Sequence, residues 1–281
     1  MTDSSPLSSP LLAEPIAFIG GGNMAGAIIG GLLRRGLPPK LLRVVEPFAP
    51  ARDKLWADHG VQAQESAAAA LADAGLVVWA VKPQTFKEAA AQAGPFTQAA
   101  LHLSVAAGIR SDSIAAWLQA QRVVRAMPNT PALIGKGITA LFGRDAVTAP
   151  DRAWVEQVIA TTGEHLWVGQ EAHLDAVTAL SGSGPAYVFY FLEAMRDAGA
   201  AMGLPPAQAL RLAVSTFAGA AALAAASDEP PEVLRQRVTS RGGTTHAALS
   251  RMEADRIGPL FAGALEAAQR RAAELGDEFG A

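Results

Sequence analysis

A short apolar run that breaks on a cluster of glycines and passes at once into a helical pattern constrains this chain more than anything else in it. Ile16-Ala-Phe-Ile19 reads as a buried parallel strand, Gly20-Gly-Gly22 follows, and the helical pattern runs to about Arg35. The spacing Gly20-x-Gly22-x-x-Ala25 fits the dinucleotide fingerprint in its G-x-G-x-x-A form. Gly20 permits the tight turn, Gly22 lets the backbone approach a pyrophosphate, and Ala25 lets the helix pack close to the strand. The helix start offers unpaired N–H groups and a partial positive charge to the phosphates. Ordinary strand-to-helix turns also carry glycines; the place of this one near the N-terminus, between strand and helix, favours the nucleotide reading.

The rest of the first half repeats the rhythm. Leu41 to Val45 reads as a strand ending in Glu46, an acidic residue placed to accept hydrogen bonds from the adenosine ribose hydroxyls. That carboxylate also repels a 2′-phosphate, although Arg43, Arg52 and Lys54 lie near enough in sequence to counter it. Strands follow at Leu76–Val81, Leu101–Val105 and Val123–Met127, closed by Lys82-Pro-Gln84, Ala106-Ala-Gly108 and Pro128-Asn-Thr-Pro131. Alanine-rich helical segments fall near Glu65–Ala74, Thr85–Gln92 and Ser111–Gln119. Such alternation predicts parallel βαβ units in a doubly wound sheet, with ligands bound off the carboxyl ends of the strands. Further strands are expected at Ile138–Phe142 and His165–Val168, with a helix near Asp151–Thr161 between them.

From Glu171 onward no strand signal remains, and helices are expected over Ala172–Ala179, Pro185–Met202, Pro205–Ala226, Pro230–Val238 and Thr244–Arg271. The expected organisation is a loose tail over residues 1–13, a dinucleotide-binding domain over 14–169 and an all-helical domain over 170–281. The helix from Pro185 is apolar on every face through Tyr187-Val-Phe-Tyr-Phe-Leu192, so it needs cover on all sides, which favours the centre of a dimer. The alanine-rich stretch Ala207–Ala226 carries Gln208, Arg211, Ser215 and Thr216 and reads as a buried helix rather than a membrane span. The opening residues have no basic start and no long apolar core, so they do not read as a signal peptide, and a cytoplasmic protein is expected. A net charge of -3 argues against nucleic acid or an anionic membrane as partner, and the absence of cysteine rules out disulfides, thiolate metal sites and a cysteine nucleophile. No metal-ligand spacing appears, so no metal is expected.

Two glycine-rich segments mark the helical half. Thr178-Ala-Leu-Ser-Gly-Ser183-Gly-Pro-Ala-Tyr187 places Ser181 and Ser183 at a helix start, and Val238-Thr-Ser-Arg-Gly242-Gly243-Thr244-Thr245-His246 places two glycines and four hydroxyls around another. Successive N–H groups at such turns suit a carboxylate, although plain helix capping uses the same residues. All five lysines lie in the first half, and neither His173 nor His246 sits in an acid–base constellation. Reduction of a C=N bond fits this better than hydroxy acid oxidation, because a protonated imine already carries the charge that draws a hydride.

These residues together resemble the pyrroline-5-carboxylate reductase family. The matching runs are Phe18–Ala25, Ala80–Gln84, Ser104–Gly108, Arg125–Pro131, Asp175–Tyr187 and Val238–Thr245, in the family's order. The resemblance implies a Rossmann-type α/β domain followed by an all-α dimerisation domain, NADPH or NADH as cofactor, and reduction of 1-pyrroline-5-carboxylate to L-proline. It implies a homodimer or higher homo-oligomer. It implies that Gly20, Gly22, Asn23, Met24 and Ala25 hold the pyrophosphate. Ala80, Lys82, Pro83, Ala106, Ala107 and Gly108 would line the ribose and nicotinamide, with Asn129 near the nicotinamide ribose. Ser183, Gly242, Gly243 and Thr244 would bind substrate, and Thr245 would donate a hydrogen bond or proton to the ring nitrogen. Two departures stand out: the family often has proline where this chain has Arg241, and Glu46 opposes the NADPH preference of many members. A reductase of another cyclic imine, or a non-catalytic NAD(P)-binding regulatory protein, remain the alternatives.

Overall fold

The computed structural model describes residues 14–280, so the tail expected over residues 1–13 lies outside the described residues. The chain divides into two packing units, one formed by residues up to Ser183 together with Ala268–Ala281, the other by Gly184–Ala267.

The first unit is built on one sheet. Its elements are β1 (Ile16–Ile19), α1 (Asn23–Arg34), β2 (Leu42–Val45), α2 (Ala49–His59), β3 (Ala63–Gln64), β4 (Leu76–Trp79), α3 (Pro83–Thr97), β5 (Leu101–Ser104), α4 (Ser111–Leu118), β6 (Val123–Met127), β7 (Gly137–Gly143), α5 (Ala149–Ile159) and β8 (Gly163–Trp167). The strand order is β3-β2-β1-β4-β5-β6-β7-β8. From β3 to β6 every neighbouring pair is parallel. Because the order reverses between β1 and β4, the crevice for a ligand opens beside the carboxyl end of β1, where Gly20 begins.

The central strands β1 and β4 are apolar throughout because both of their faces are covered. Ile16, Phe18, Val78 and Leu103 pack with Ile28, Ile29 and Leu32 of α1 on one side. Ala17, Val77 and Trp79 pack with Phe86 and Ile114, from α3 and α4, on the other.

Three expectations for this unit need correction. Strands β7 and β8 run parallel to each other but antiparallel to the rest, since β7 pairs with β6 in antiparallel register. The link from β6 to β7 is a 3₁₀ segment, Thr130–Ile134, too short for a crossover, so the chain returns alongside itself. The helix expected near Glu65–Ala74 is only a 3₁₀ turn, Ala69–Leu71, because this stretch carries the chain from the edge strand β3 across to central β4. A two-residue strand, β3, was not expected.

After β8 come α6 (His173–Val177), a π-helical turn (Thr178–Gly182), α7 (Gly184–Ala201), α8 (Pro206–Ala225), α9 (Pro231–Arg237), α10 (Thr244–Ala254) and α11 (Ile257–Phe279). The single helix expected over Thr244–Arg271 is interrupted, and Arg256 at the break takes φ 55. In the second unit α7 and α8 approach closely where Gly199 faces Ala209; a Cβ on Gly199 would lie 2.7 Å from the Ala209 Cβ. Phe261 meets Tyr187 and Phe191 edge-on. Large apolar side chains of these helices stay exposed. Phe189 is 58% and Tyr190 69% exposed on α7. The expectation that α8 is buried also needs correction: only Ala209 and Ala213 are buried there, since one chain supplies only α7 to run along it. By length and composition alone, α8 is also apolar enough to cross a membrane.

Candidate active site

The glycine turn after β1 is fixed by its surroundings. Gly20 takes φ +96, and a Cβ there would sit 2.6 Å from the Ala80 carbonyl oxygen, so both conformation and space demand glycine. Gly20 N–H donates to the Val45 carbonyl and Ala80 N–H to the Ile19 carbonyl, tying the turn to both neighbouring strands. Gly22 differs: a Cβ on it would meet nothing within 4 Å, so its open side leaves room for a ligand. Gly22 is also the N-cap of α1 and offers no side-chain acceptor. The N–H groups of Asn23, Met24 and Ala25 therefore have no partner within the helix. A cavity of about 390 Å³, lined by Gly21, Gly22, Asn23, Ala27, Lys54 and Leu133 among others, lies against this helix start. An uncapped helix N-terminus bordered by a side-chain-free cradle fits a dinucleotide pyrophosphate.

Glu46, at the end of β2, is held by the backbone. Its Oε2 accepts from Gly21 N–H at 2.7 Å and its Oε1 from Phe48 N–H at 2.8 Å. The carboxylate is thus a latch on the glycine turn as well as a negative charge at the end of β2. Of the three cations near it in sequence, Arg43 pairs with Asp73 and Lys54 with Asp58. Arg52 donates to the Glu46 and Pro47 carbonyl oxygens.

The parallel strands bring the remaining cofactor candidates of this unit to one rim. Lys82 caps α3, with Pro83 as its first residue, beyond the end of β4. Ala106, Ala107 and Gly108 follow β5, Ala106 N–H donates to Ser104 Oγ at 3.3 Å, and Gly108 takes φ +71. Asn129 follows β6; its Oδ1 accepts from Ile138 N–H at 3.0 Å, which commits the amide oxygen to the loop and leaves any ribose contact to the NH2 group.

The turn around Ser183 departs from expectation. A helix does start there, α7 at Gly184, but a π-helical turn over Thr178–Gly182 runs up to it in place of an open loop. Ser181 Oγ donates back to the Val177 carbonyl, and Ser183 N–H to the Thr178 carbonyl. These groups are spent within the helix, so they form no open nest; Gly182 instead packs against Met127 at the end of β6. A π-turn of this kind often marks a functional position.

The other segment behaves as expected within the second unit. Gly242 takes φ +74, Gly243 N–H donates to the Ser240 carbonyl, and Gly243 caps α10 without a side-chain acceptor. The N–H groups of Thr244, Thr245 and His246 therefore lack partners within the helix, a geometry suited to a carboxylate. Thr245 is half-buried, whereas Thr244 and Arg241 are exposed.

One cluster carries no local sequence signal. Glu171 accepts from Ser111 N–H and Ser111 Oγ, each at 2.6 Å, and from Arg125 Nη1 at 2.7 Å. Burial pushes its carboxyl up, but the Ser111 and Arg125 hydrogen bonds prevail and hold it below its ordinary range. Nearby Asp175 is raised, chiefly by burial, against the pull of Arg110 and Arg125.

Comparison with known proteins now bears on this site. A family model described as pyrroline-5-carboxylate reductase dimerisation matches residues 171–275, and one described as NADP oxidoreductase coenzyme F420-dependent matches residues 15–108. A pyrroline-5-carboxylate reductase from Pseudomonas aeruginosa is 44% identical over 267 residues, covering 94% of this chain and 98% of that protein. The chain belongs to the pyrroline-5-carboxylate reductase family. A reductase of the same name from Pisum sativum is 36% identical, covering 95% of this chain and 98% of its own. Among solved structures, the reductase from Coxiella burnetii matches with TM-score 0.86 at 36% identity, over 93% of this chain and 98% of that one. The Plasmodium falciparum enzyme, solved with NADP bound, matches with TM-score 0.83 at 26% identity, over 94% and 98%. The reductase family thus accounts for both the Rossmann-type sheet and the helical region that follows it.

Proposed function

We propose that this chain reduces 1-pyrroline-5-carboxylate to L-proline, drawing on NADPH or NADH. The observation that carries the reading is the pairing, in a chain of this family, of two uncapped glycine-led helix starts: one after β1 and one at Gly243. The first fits a pyrophosphate and the second a carboxylate. When bound, the reduced nicotinamide supplies a hydride to C5 of the imine, whose C=N bond becomes a C–N single bond as the ring nitrogen keeps its proton. The protein's part is placement. The N–H groups of Thr244 to His246 hold the substrate carboxylate. Ala80, Lys82, Pro83 and Ala106 to Gly108 shape the nicotinamide end of the crevice. Thr245 Oγ1 donates to the lone pair of the neutral ring nitrogen, the hydrogen bond along which that nitrogen gains its proton from solvent before the hydride arrives.

The active form is read as a homodimer or a larger assembly of dimers. Exposed Phe189, Tyr190, Leu212 and Leu223 support this, and the matched dimerisation family spans them, which favours a second copy over lipid as the cover for α8. The functional division is read as a cofactor half to residue 169 and a substrate-binding, dimer-forming half beyond it, in a cytoplasmic enzyme that binds neither nucleic acid nor membrane; cell fractionation tests the location.

The deciding assay follows loss of the reduced nicotinamide's near-ultraviolet absorbance with 1-pyrroline-5-carboxylate and each cofactor, with proline identified as product. No turnover with either cofactor overturns the reading. Faster turnover of a different cyclic imine would replace the substrate, and light scattering at a monomer mass would remove the dimer.

A further inference from the structure

The last turns of α11 return to the sheet unit and lie against the loop that leads out of β5. Gly108 has its backbone facing them: a Cβ there would sit 3.2 Å from Leu275 Cβ and 3.4 Å from Phe279 Cδ2. Two residues on, Arg110 Nη2 donates to Asp277 Oδ1 at 2.8 Å and to the Ala273 carbonyl at 3.4 Å. The guanidinium crosses the helix at Gly276, where a Cβ would lie 3.2 Å from its carbon; the missing side chain is what lets Arg110 reach Asp277. Ser113 Oγ then donates to the Gly280 carbonyl at 2.9 Å. Phe279 packs against the core that contains Ala106, Ile109 and Ile114. On the opposite flank Ser111 is bound to Glu171 through both its N–H and its hydroxyl. The segment from Gly108 to Ser113 is therefore gripped twice by chain that lies far away in sequence.

We infer that Leu275, Asp277 and Phe279 are positioning residues for the dinucleotide, setting the height of the Ala106–Gly108 loop at its nicotinamide end. This rests on the proposed role of that loop. Gly108 has no side chain and takes φ +71, so it has no anchor of its own beyond its buried neighbours Ala106 and Ile109 and the helix it is pressed against. Packing from Leu275 and Phe279 supplies that limit, and the Arg110–Asp277 pair fixes the register of the helix over the loop. None of these residues needs to touch the cofactor. Removing the support lets the loop drop away from the ring while the pyrophosphate cradle after β1 keeps its own frame.

The test uses the full-length protein with NADH and with ADP-ribose, which lacks the nicotinamide riboside, as binding probes. Phe279→Ala and Asp277→Ala are expected to weaken NADH binding and lower kcat, by about tenfold for Phe279→Ala, because an ångström of misplacement can cost about a hundredfold. ADP-ribose affinity and the KM for 1-pyrroline-5-carboxylate should not move. Asp277→Glu, which keeps the carboxylate, should recover most of the loss. Equal weakening of NADH and ADP-ribose would show general loosening and overturn the inference, as would unchanged NADH binding in a folded Phe279→Ala protein. If Phe279→Ala does not fold, Phe279→Leu and Asp277→Asn carry the same comparison. Wild-type protein that fails to bind NADH at all would instead sink the proposed function, so the two failures are distinct.

Discussion

The chain builds the same device twice, a glycine-led helix start with no side-chain cap, and supports it in opposite ways. At Gly20 the turn is locked by β2 and β4, and Ala25 behind it is fully buried. At Gly242 and Gly243 a Cβ on the first would meet nothing within 4 Å, and α10 buries no residue. The first site is complete within one sheet. The second is a set of donors on an exposed helix, whose rigidity has to come from elsewhere. A similar glycine-led helix start is thus over-determined in one place and under-determined in the other, and substitutions should separate them.

The largest effect is expected at Gly20. Gly20→Ala combines a positive φ with a contact inside van der Waals range of a backbone oxygen that cannot move without breaking β4, so a loss of about 4 kcal/mol and of dinucleotide binding is expected. Gly242→Ala has the same backbone penalty and open space, so about 1 kcal/mol is expected. Urea unfolding of the two variants checks the contrast. Equal losses would mean that the second turn is as confined as the first.

Acid should find the sheet unit through His102. Its Nδ1 accepts from Trp79 Nε1 at 3.1 Å in the core, and burial, with the Arg122 charge adding, lowers its pKa to about 4. The folded state therefore binds the proton less readily than the unfolded chain. Stability from the neutral ring is full above about pH 6.5 and is lost as pH falls towards about 4, an effect of about 3 kcal/mol. His102→Gln should flatten that slope in melting curves between those limits; an unchanged slope would place the acid sensitivity elsewhere.

At the exposed helix start the proposed chemistry rests on one hydroxyl. If Thr245 relays the proton, Thr245→Ala lowers kcat by about a hundredfold, with little change in the KM for the imine. Thr245→Ser should keep most of the rate. A rise in KM alone would reduce Thr245 to a binding residue.

The same contrast explains what was legible in the sequence. The Gly20 turn and the strands β1, β4, β5 and β6 could be read because buried parallel strands are unbroken apolar runs and because glycine is demanded locally. The reversal of β7 could not, since direction depends on a loop whose length permits either course until it folds into a 3₁₀ segment. The break at Arg256 lies inside a helical pattern that gives no sign of it, and the glycine-rich segment at Thr178–Gly182 marks a break between helices without revealing that it folds as a π-turn. Glu171 and Asp277 escaped for another reason: their partners Ser111 and Arg110 lie 60 and 167 residues away, and no periodicity encodes such distances. The proposed roles of Thr244 and Thr245 rest on the family resemblance, because an exposed turn looks like ordinary capping.

The smallest expected effect sharpens the first site. Glu46 latches Gly21 and Phe48, and in the proposed cofactor pose it also sets a negative charge against a 2′-phosphate. Glu46→Gln removes the charge but keeps an acceptor. A loosened latch should weaken NADH and NADPH alike, so it cancels in their ratio, whereas the charge acts on NADPH alone. Two like charges about 6 Å apart at an effective dielectric of about 40 repel by about 1.4 kcal/mol, so the kcat/KM ratio of NADPH to NADH should rise about tenfold. Arg52 stays on its two carbonyl oxygens and is not expected to compensate. If both constants fall together and the ratio holds, Glu46 is a latch and nothing more, and the cofactor choice is made by other residues of the crevice.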